Sequence, residues 1–211
     1  MPVTELCLLR LKEGKEWTSS EVLDGLRKAK TVLERVTGSA FHFLRCEEQP
    51  DTCYMHGGWE TIDDHWKFVP SEANKELQAA IKDIAIPEWA FHIDIDQAKT
   101  PLPAQSKVIA LGRWYPKEGK IDELEMLFTS VTPTLAAGVG GEDKITRGRR
   151  LDKGFDPSIE GEPKPEYVVM TGWESVQAHQ DFAKRFGESE TASRIQSLVN
   201  GADFFHATVL V

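Results

Sequence analysis

Gly58-Trp59-Glu60-Thr61-Ile62-Asp63-Asp64-His65-Trp66-Lys67-Phe68 returns 114 residues later as Gly172-Trp173-Glu174-Ser175-Val176-Gln177-Ala178-His179-Gln180-Asp181-Phe182. The same offset carries Phe91-His92 to Phe205-His206, Glu76 to Glu190 and Ile81 to Ile195. Tryptophan and histidine are rare residues, so their ungapped agreement marks one supersecondary unit that has been duplicated.

Around this motif the first copy reads β-α-β-β-α-β. Residues 3–11 are apolar and strand-like. Val22, Leu26, Ala29, Leu33 and Val36 form one stripe of a helix capped by Ser19 or Ser20 and ended by Gly38. Two strands, 41–46 and 52–56, meet at the turn 47–51. Thr61 caps a helix that Pro70 interrupts, and residues 89–95 form the last strand. The second copy repeats this order, with strands at 108–115, 144–151, 167–173 and 204–211 and with Pro133 placed to kink its first helix. Residues 1–96 therefore form one repeat and 108–211 the other, joined by the proline-containing linker 97–107. The loop 152–166 is much longer than its counterpart in the first copy, which suits either a functional lid or a disordered segment.

The composition is that of a soluble globular chain of 211 residues with a net charge of −9. That charge disfavours nucleic acid and anionic membranes as partners. No apolar run approaches the ~18 residues of a membrane span. The N-terminal residues lack the pattern of a secretory signal, and Cys7, Cys46 and Cys53 read as reduced thiols of a cytoplasmic protein. No phosphate loop, dinucleotide fingerprint, nucleophile elbow or metal-ligand spacing is present, so the sequence predicts no metal and no cofactor.

The Gly-Trp-Glu-Ser/Thr motif, the histidine six positions after the tryptophan and the terminal Phe-His strand resemble the dimeric α+β barrel (ferredoxin-like) superfamily, and within it the antibiotic biosynthesis monooxygenases. The resemblance implies two β-α-β-β-α-β units packed into one barrel with helices outside. Here both units lie in one chain, an intramolecular pseudo-dimer that is a monomer or forms a further homodimer. It also implies cofactor-free oxygenation or cyclisation of a polyketide-like molecule in secondary metabolism. The same fold hosts haem proteins and non-catalytic stress-responsive barrels.

Each repeated residue admits a structural and a functional reading. Trp59 and Trp173 either plug the gap between helix and sheet or stack on an aromatic ligand. His65 and His179 either bond neighbouring backbone or act as general bases. His92 and His206 alternate with Phe91 and Phe205, so each strand sends one of the two to a candidate pocket face. The unmatched His56 (opposite Met170 in the alignment), Trp66 (Gln180) and His42 are further binding candidates. Arg147 is a candidate clamp for a carboxylate or phenolate, or else a protective edge charge. The resulting expectation is an enzyme with His65 or His179 as base, acting on a small hydrophobic aromatic ligand between sheet and helices. A binding barrel without catalysis and a haem-binding barrel are the alternatives.

Overall fold

A computed structural model describes residues 1–157 and 159–211. The chain runs β1 (Val3–Leu11), α1 (Ser20–Thr37), β2 (Phe41–Cys46), β3 (Thr52–Trp59), α2 (Ile62–Phe68), α3 (Glu72–Ile81) and β4 (Ala85–Ile93). It repeats as β5 (Val108–Pro116), α4 (Ile121–Val139), β6 (Ile145–Arg149), β7 (Tyr167–Trp173), α5 (Val176–Gly187), α6 (Glu190–Leu198) and β8 (Val199–Val209). Local chemistry sets these boundaries. Ser19, Thr61, Ser71, Ser175 and Ser189 each accept an amide hydrogen bond in the first turn of the helix that follows. Gly38 and Gly140 close α1 and α4 in the left-handed region. The α4 helix continues through Pro133 as one element.

The strands form one antiparallel sheet in the order β4-β1-β3-β2-β8-β5-β7-β6. The segment beyond β6 then returns to β4. The Ala90 amide donates to the Phe155 carbonyl (2.7 Å) and the Phe155 amide to the Ala90 carbonyl (2.8 Å). The Leu151 amide donates to the His92 carbonyl (2.8 Å), and the Glu47 amide makes the equivalent bond to the His206 carbonyl (2.8 Å) at the β2–β8 junction. Two pseudo-equivalent seams thus close an eight-stranded α+β barrel.

Strand alternation divides the apolar residues into an interior and two outer layers. Leu6, Leu8, Tyr54, Phe91, Ile93, Ile109, Leu111 and Met170 fill the interior, where Ile95 and Leu102 of the 94–107 connection join them. The α1 stripe packs outside on Cys7, Leu9, Phe43 and Met55, and α4 with α6 packs on β5 and β7. Among the interior residues sits a buried ion cluster, in which Glu166 accepts from Arg113 (2.5 and 3.1 Å) and Arg150 (3.3 Å).

The last strand of each copy begins earlier than the sequence suggests, at Ala85 and Val199 rather than at 89 and 204. The physical reason is a β-bulge. Register shifts at Leu8/Leu9 and at Tyr115/Pro116 let residues directly after the helices pair with β1 and β5. Exposed Ile86 and a proline at the bulge hide that pairing from a periodicity argument.

Gly154 lies on the seam with φ +58°, and a Cβ built there would meet the Ala90 carbonyl oxygen at 2.0 Å. Gly154→Ala should therefore open the Ala90–Phe155 pair. Amide hydrogen exchange at Ala90 should accelerate by about tenfold or more, as local opening becomes cheaper by ~1–2 kcal/mol. Unchanged protection at Ala90 would contradict this reading of the seam.

Candidate functional site

The tryptophan ending β3 or β7, the capped helix after it and the last strand meet at one place in each half. Thr61 and Ser175 set the first turn, so His65 and His179 point back at the sheet. Phe91 faces the barrel interior, which sends His92 outward into the helix layer, and His206 does the same beside Phe205. His65 Nδ1 lies 2.8 Å from His92 Nε2, and His179 Nδ1 lies 2.8 Å from His206 Nε2.

Each pair is anchored by a carboxylate from the opposite half. Asp152 lies 2.7 Å from His92 Nδ1 and accepts the His92 amide at 3.0 Å. Glu48 contacts His206 Nδ1 and accepts the His206 amide at 2.7 Å. Because a carboxylate only accepts, Nδ1 of His92 and of His206 is the donor, and the neutral form of each ring then presents a lone pair at Nε2. His65 and His179 then donate from Nδ1, and their Nε2 atoms are left as acceptors. Both halves thus hold a carboxylate–histidine–histidine relay that ends on an imidazole Nε2.

The halves differ in what that nitrogen faces. In the first, Glu5 Oε2 sits 3.8 Å from His65 Nε2 and accepts from Trp59 Nε1 at 2.8 Å. Trp66 stacks on the other side of His65, with centroids 5.2 Å apart. In the second half, the residue at the register position of Glu5 is Ala110, and that of Cys7 is Gly112. A cavity of about 540 Å³ opens there. Trp114, Phe128, Leu135, Trp173 and Phe182 make it apolar, while His179, Thr171, Gln196 and Asn200 supply polar atoms.

Burial pushes His179 down from 6.5 to about 4, assisted by His206 and opposed by Glu48. Burial also lowers His65, with Glu5 working against it. Burial would raise the Glu48 and Asp152 carboxyls, but hydrogen bonds from His206 and His92 outweigh it and hold both below the usual range. The sign of the linkage follows. The unfolded chain takes up protons at His179 between pH 6.5 and about 4, whereas the folded chain does not, so stability is full above that window and falls within it. Urea midpoints at pH 7.5, 5.5 and 4.5 should decrease in that order. Equal midpoints across the window would contradict the buried, neutral imidazole.

The remaining candidates fall elsewhere. His42 and His56 lie directly opposite each other on the inward faces of β2 and β3, with His42 Nδ1 and His56 Nε2 unpartnered among the described residues. Burial lowers His56 to about 3. Arg147 donates to Thr132 (2.6 Å) and Thr129 (3.3 Å), tying β6 to α4 outside the cavity lining. Among the described residues no group of ligating side chains could hold a metal. The described part of the loop 152–166 runs along β4 and supplies Asp152; residue 158, which the lid expectation also covers, lies outside the described residues.

Glu48, Asp152, Ala110 and Thr171 escape the sequence argument. The repeat offset is 104 at β2/β6, where Thr146 takes the place of His42, and 114 from β3/β7 onward. Realigned at 104, Glu48 and Asp152 coincide, which is the signal that could have found them.

Solved structures share this fold. The chain matches over its full length a candidate monooxygenase from Fusobacterium nucleatum subsp. nucleatum ATCC 25586 (TM-score 0.64, 12% identity, 93% of that chain). It matches over 99% of its length an anthrone oxidase-like protein (0.64, 13%, 91% of that chain). A haem-binding protein from Thermus thermophilus matches equally broadly (0.61, 10%, 90% of that chain). The fold is therefore the dimeric α+β barrel of ferredoxin-like units, with both units in one chain. No protein-family model and no curated protein matches the sequence. Among the described residues no helix is long and apolar enough to cross a membrane.

Proposed function

We propose that the second half is the working site of a cofactor-independent enzyme acting on a small apolar aromatic or polyketide-like molecule, with His179 as general base. The observation that carries this reading is the asymmetry between the halves. Both keep the relay, and among the described residues it is the one ending at His179 that lines a large apolar cavity.

A neutral imidazole there accepts an acidic C–H or O–H proton at Nε2. The charge that develops is spread through Nδ1–H to His206 and toward Glu48, whose carboxylate is already in contact. Apolar walls and the Trp173 indole hold a planar ring and exclude water. The resulting anion reacts with O₂ or closes a ring. For an anthrone, one O₂ converts the CH₂ to a carbonyl and releases one water. The anthrone oxidase-like neighbour supports that choice of substrate class at the level of fold.

Haem, which one structural neighbour binds, is the competing occupant. His179 offers a nitrogen of the axial-ligand type, fixed through Nδ1 as metal-bound histidines are. The cavity lining contains no lysine or arginine to meet porphyrin propionates, so the side chains do not complete a haem site.

Oxygen uptake with an anthrone substrate tests the reading. The expected result is one O₂ consumed per anthrone by metal-free protein, with activity constant above about pH 5 and falling around pH 4 as His179 protonates. A Soret band that appears on haem addition and vanishes in His179→Ala, with no turnover of haem-free protein, would overturn it.

A further inference from the structure

Register makes the two halves comparable residue by residue. Glu5 on β1 stands between Gly57 and His92, and Ala110 on β5 stands between Thr171 and His206. In the first half, then, a nearly buried carboxylate occupies the space that is cavity in the second. A carboxylate in an apolar layer needs a donor to meet it, and here the donor is Trp59 Nε1 at 2.8 Å, with His65 Nε2 standing 3.8 Å from the same oxygen. The second half retains both groups, as Trp173 and His179, but not the carboxylate.

The donor is also redirected. Without a carboxylate, Trp173 Nε1 donates to Thr171 Oγ1 at 2.7 Å. A hydroxyl that accepts one hydrogen bond still has its own proton to give, and no other described side chain accepts it. This hydroxyl belongs to the second half alone. Its counterpart is Gly57, where a Cβ would lie 1.9 Å from the Phe41 ring; in β6 the smaller Ile145 stands at the Phe41 position. The cavity therefore sets one acceptor, His179 Nε2, and one donor, the Thr171 hydroxyl, among walls that are otherwise mostly apolar. That pair complements a hydroxyl, which both donates and accepts.

We propose that Glu5 is a built-in occupant of the first half's site, and that its carboxylate marks where the second half receives the hydroxyl of a phenol- or enol-type ring ligand, selected by Thr171. The ligand O–H donates to His179 Nε2 and its oxygen accepts from Thr171, while the ring lies against Trp173. The inference rests on the proposed function only for its choice of the second half as the occupied one. It explains why a single chain keeps two relays but opens an apolar cavity at the one ending on His179.

The test uses 1-naphthol, 1-methoxynaphthalene and naphthalene as probes, with calorimetry of the full chain. Wild-type protein should bind 1-naphthol about tenfold or more tightly than the other two, the difference expected when a buried polar pair is left unmet. Thr171→Val should shrink that preference to within about threefold while naphthalene affinity is retained, and Thr171→Ser should keep it. Ala110→Glu grafts the first half's occupant, so it should abolish 1-naphthol binding and raise the His179 titration above about 4. Ala110→Leu should weaken binding without that rise. Equal affinity for the three probes, no binding of 1-naphthol, or a folded Ala110→Glu protein that binds 1-naphthol like wild type would overturn the inference. Binding with the expected preference but no turnover of any deprotonable substrate would instead defeat the reaction and leave this site standing.

Discussion

His179→Ala should lower kcat for an anthrone-type substrate by about 10²–10⁴-fold, the usual contribution of a positioned general base. His65→Ala, its counterpart in the first half, should change kcat by less than about threefold, a difference of well under 1 kcal/mol. The contrast follows from what faces each Nε2: an apolar cavity at His179, a carboxylate and a tryptophan at His65. Glu48→Gln should lie between, with a loss of about 10–100-fold, because an amide can no longer hold His206 in the required tautomer as a carboxylate does. Its effect should fall on kcat rather than KM, since Glu48 does not line the cavity. Steady-state kinetics on the three variants checks the order. Equal losses in His65→Ala and His179→Ala would remove the asymmetry on which the reading stands.

Glu166→Ala should be the costliest substitution for stability. Glu166 neutralises Arg113 and Arg150, whose side chains are 13% and 3% exposed, inside the barrel. Burial alone would strip charge from Arg113, and hydrogen bonding to Glu166 overcomes it. Truncating the carboxylate takes from Arg113 the carboxylate it pairs with and leaves Arg150 with Asp156 at 3.7 Å, a loss of about 3–5 kcal/mol. At ~2–4 °C per kcal/mol for a chain of this size, Tm should fall by roughly 6–20 °C. Cation–π contacts soften the loss, since Arg113 lies 4.4 Å over Trp89 and Arg150 4.1 Å over Phe91. Removing charge on both sides, in Arg113→Met with Glu166→Leu, should recover part of the stability. Scanning calorimetry that finds Glu166→Ala within about 1 kcal/mol of wild type would contradict a dry, ion-paired barrel interior.

Much of the architecture was legible in the sequence because its signals are local. The Trp-to-His spacing, the serine and threonine caps and the glycine ends of α1 and α4 each depend on a few neighbouring residues. The early starts of β4 and β8 were not legible, because the bulges that allow them depend on pairing with distant β1 and β5. The site divides in the same way. His65, His179, His92 and His206 could be named as candidates, since the duplication displays them. Their pairing through ring nitrogens required the fold. Glu48 and Asp152 were hidden by the change of offset from 104 to 114 and by their position in the opposite half from the histidine each orients. Residues unmatched between the copies were expected to point toward function. The mismatches that shape the cavity are Glu5 against Ala110 and Gly57 against Thr171, while His42 and His56 lie on the inward barrel face.

The most direct test of a single working site in the second half is a histidine-resolved NMR titration with 1-naphthol. Perturbation should be confined to the His179 and His206 ring signals, with His179 titrating near pH 4 in the free protein and moving on binding. The His65 and His92 signals, where Glu5 fills the space beside the ring and Trp66 stacks on it, should stay in place. Equal shifts in both pairs, or shifts at His65 and His92 alone, would contradict the account.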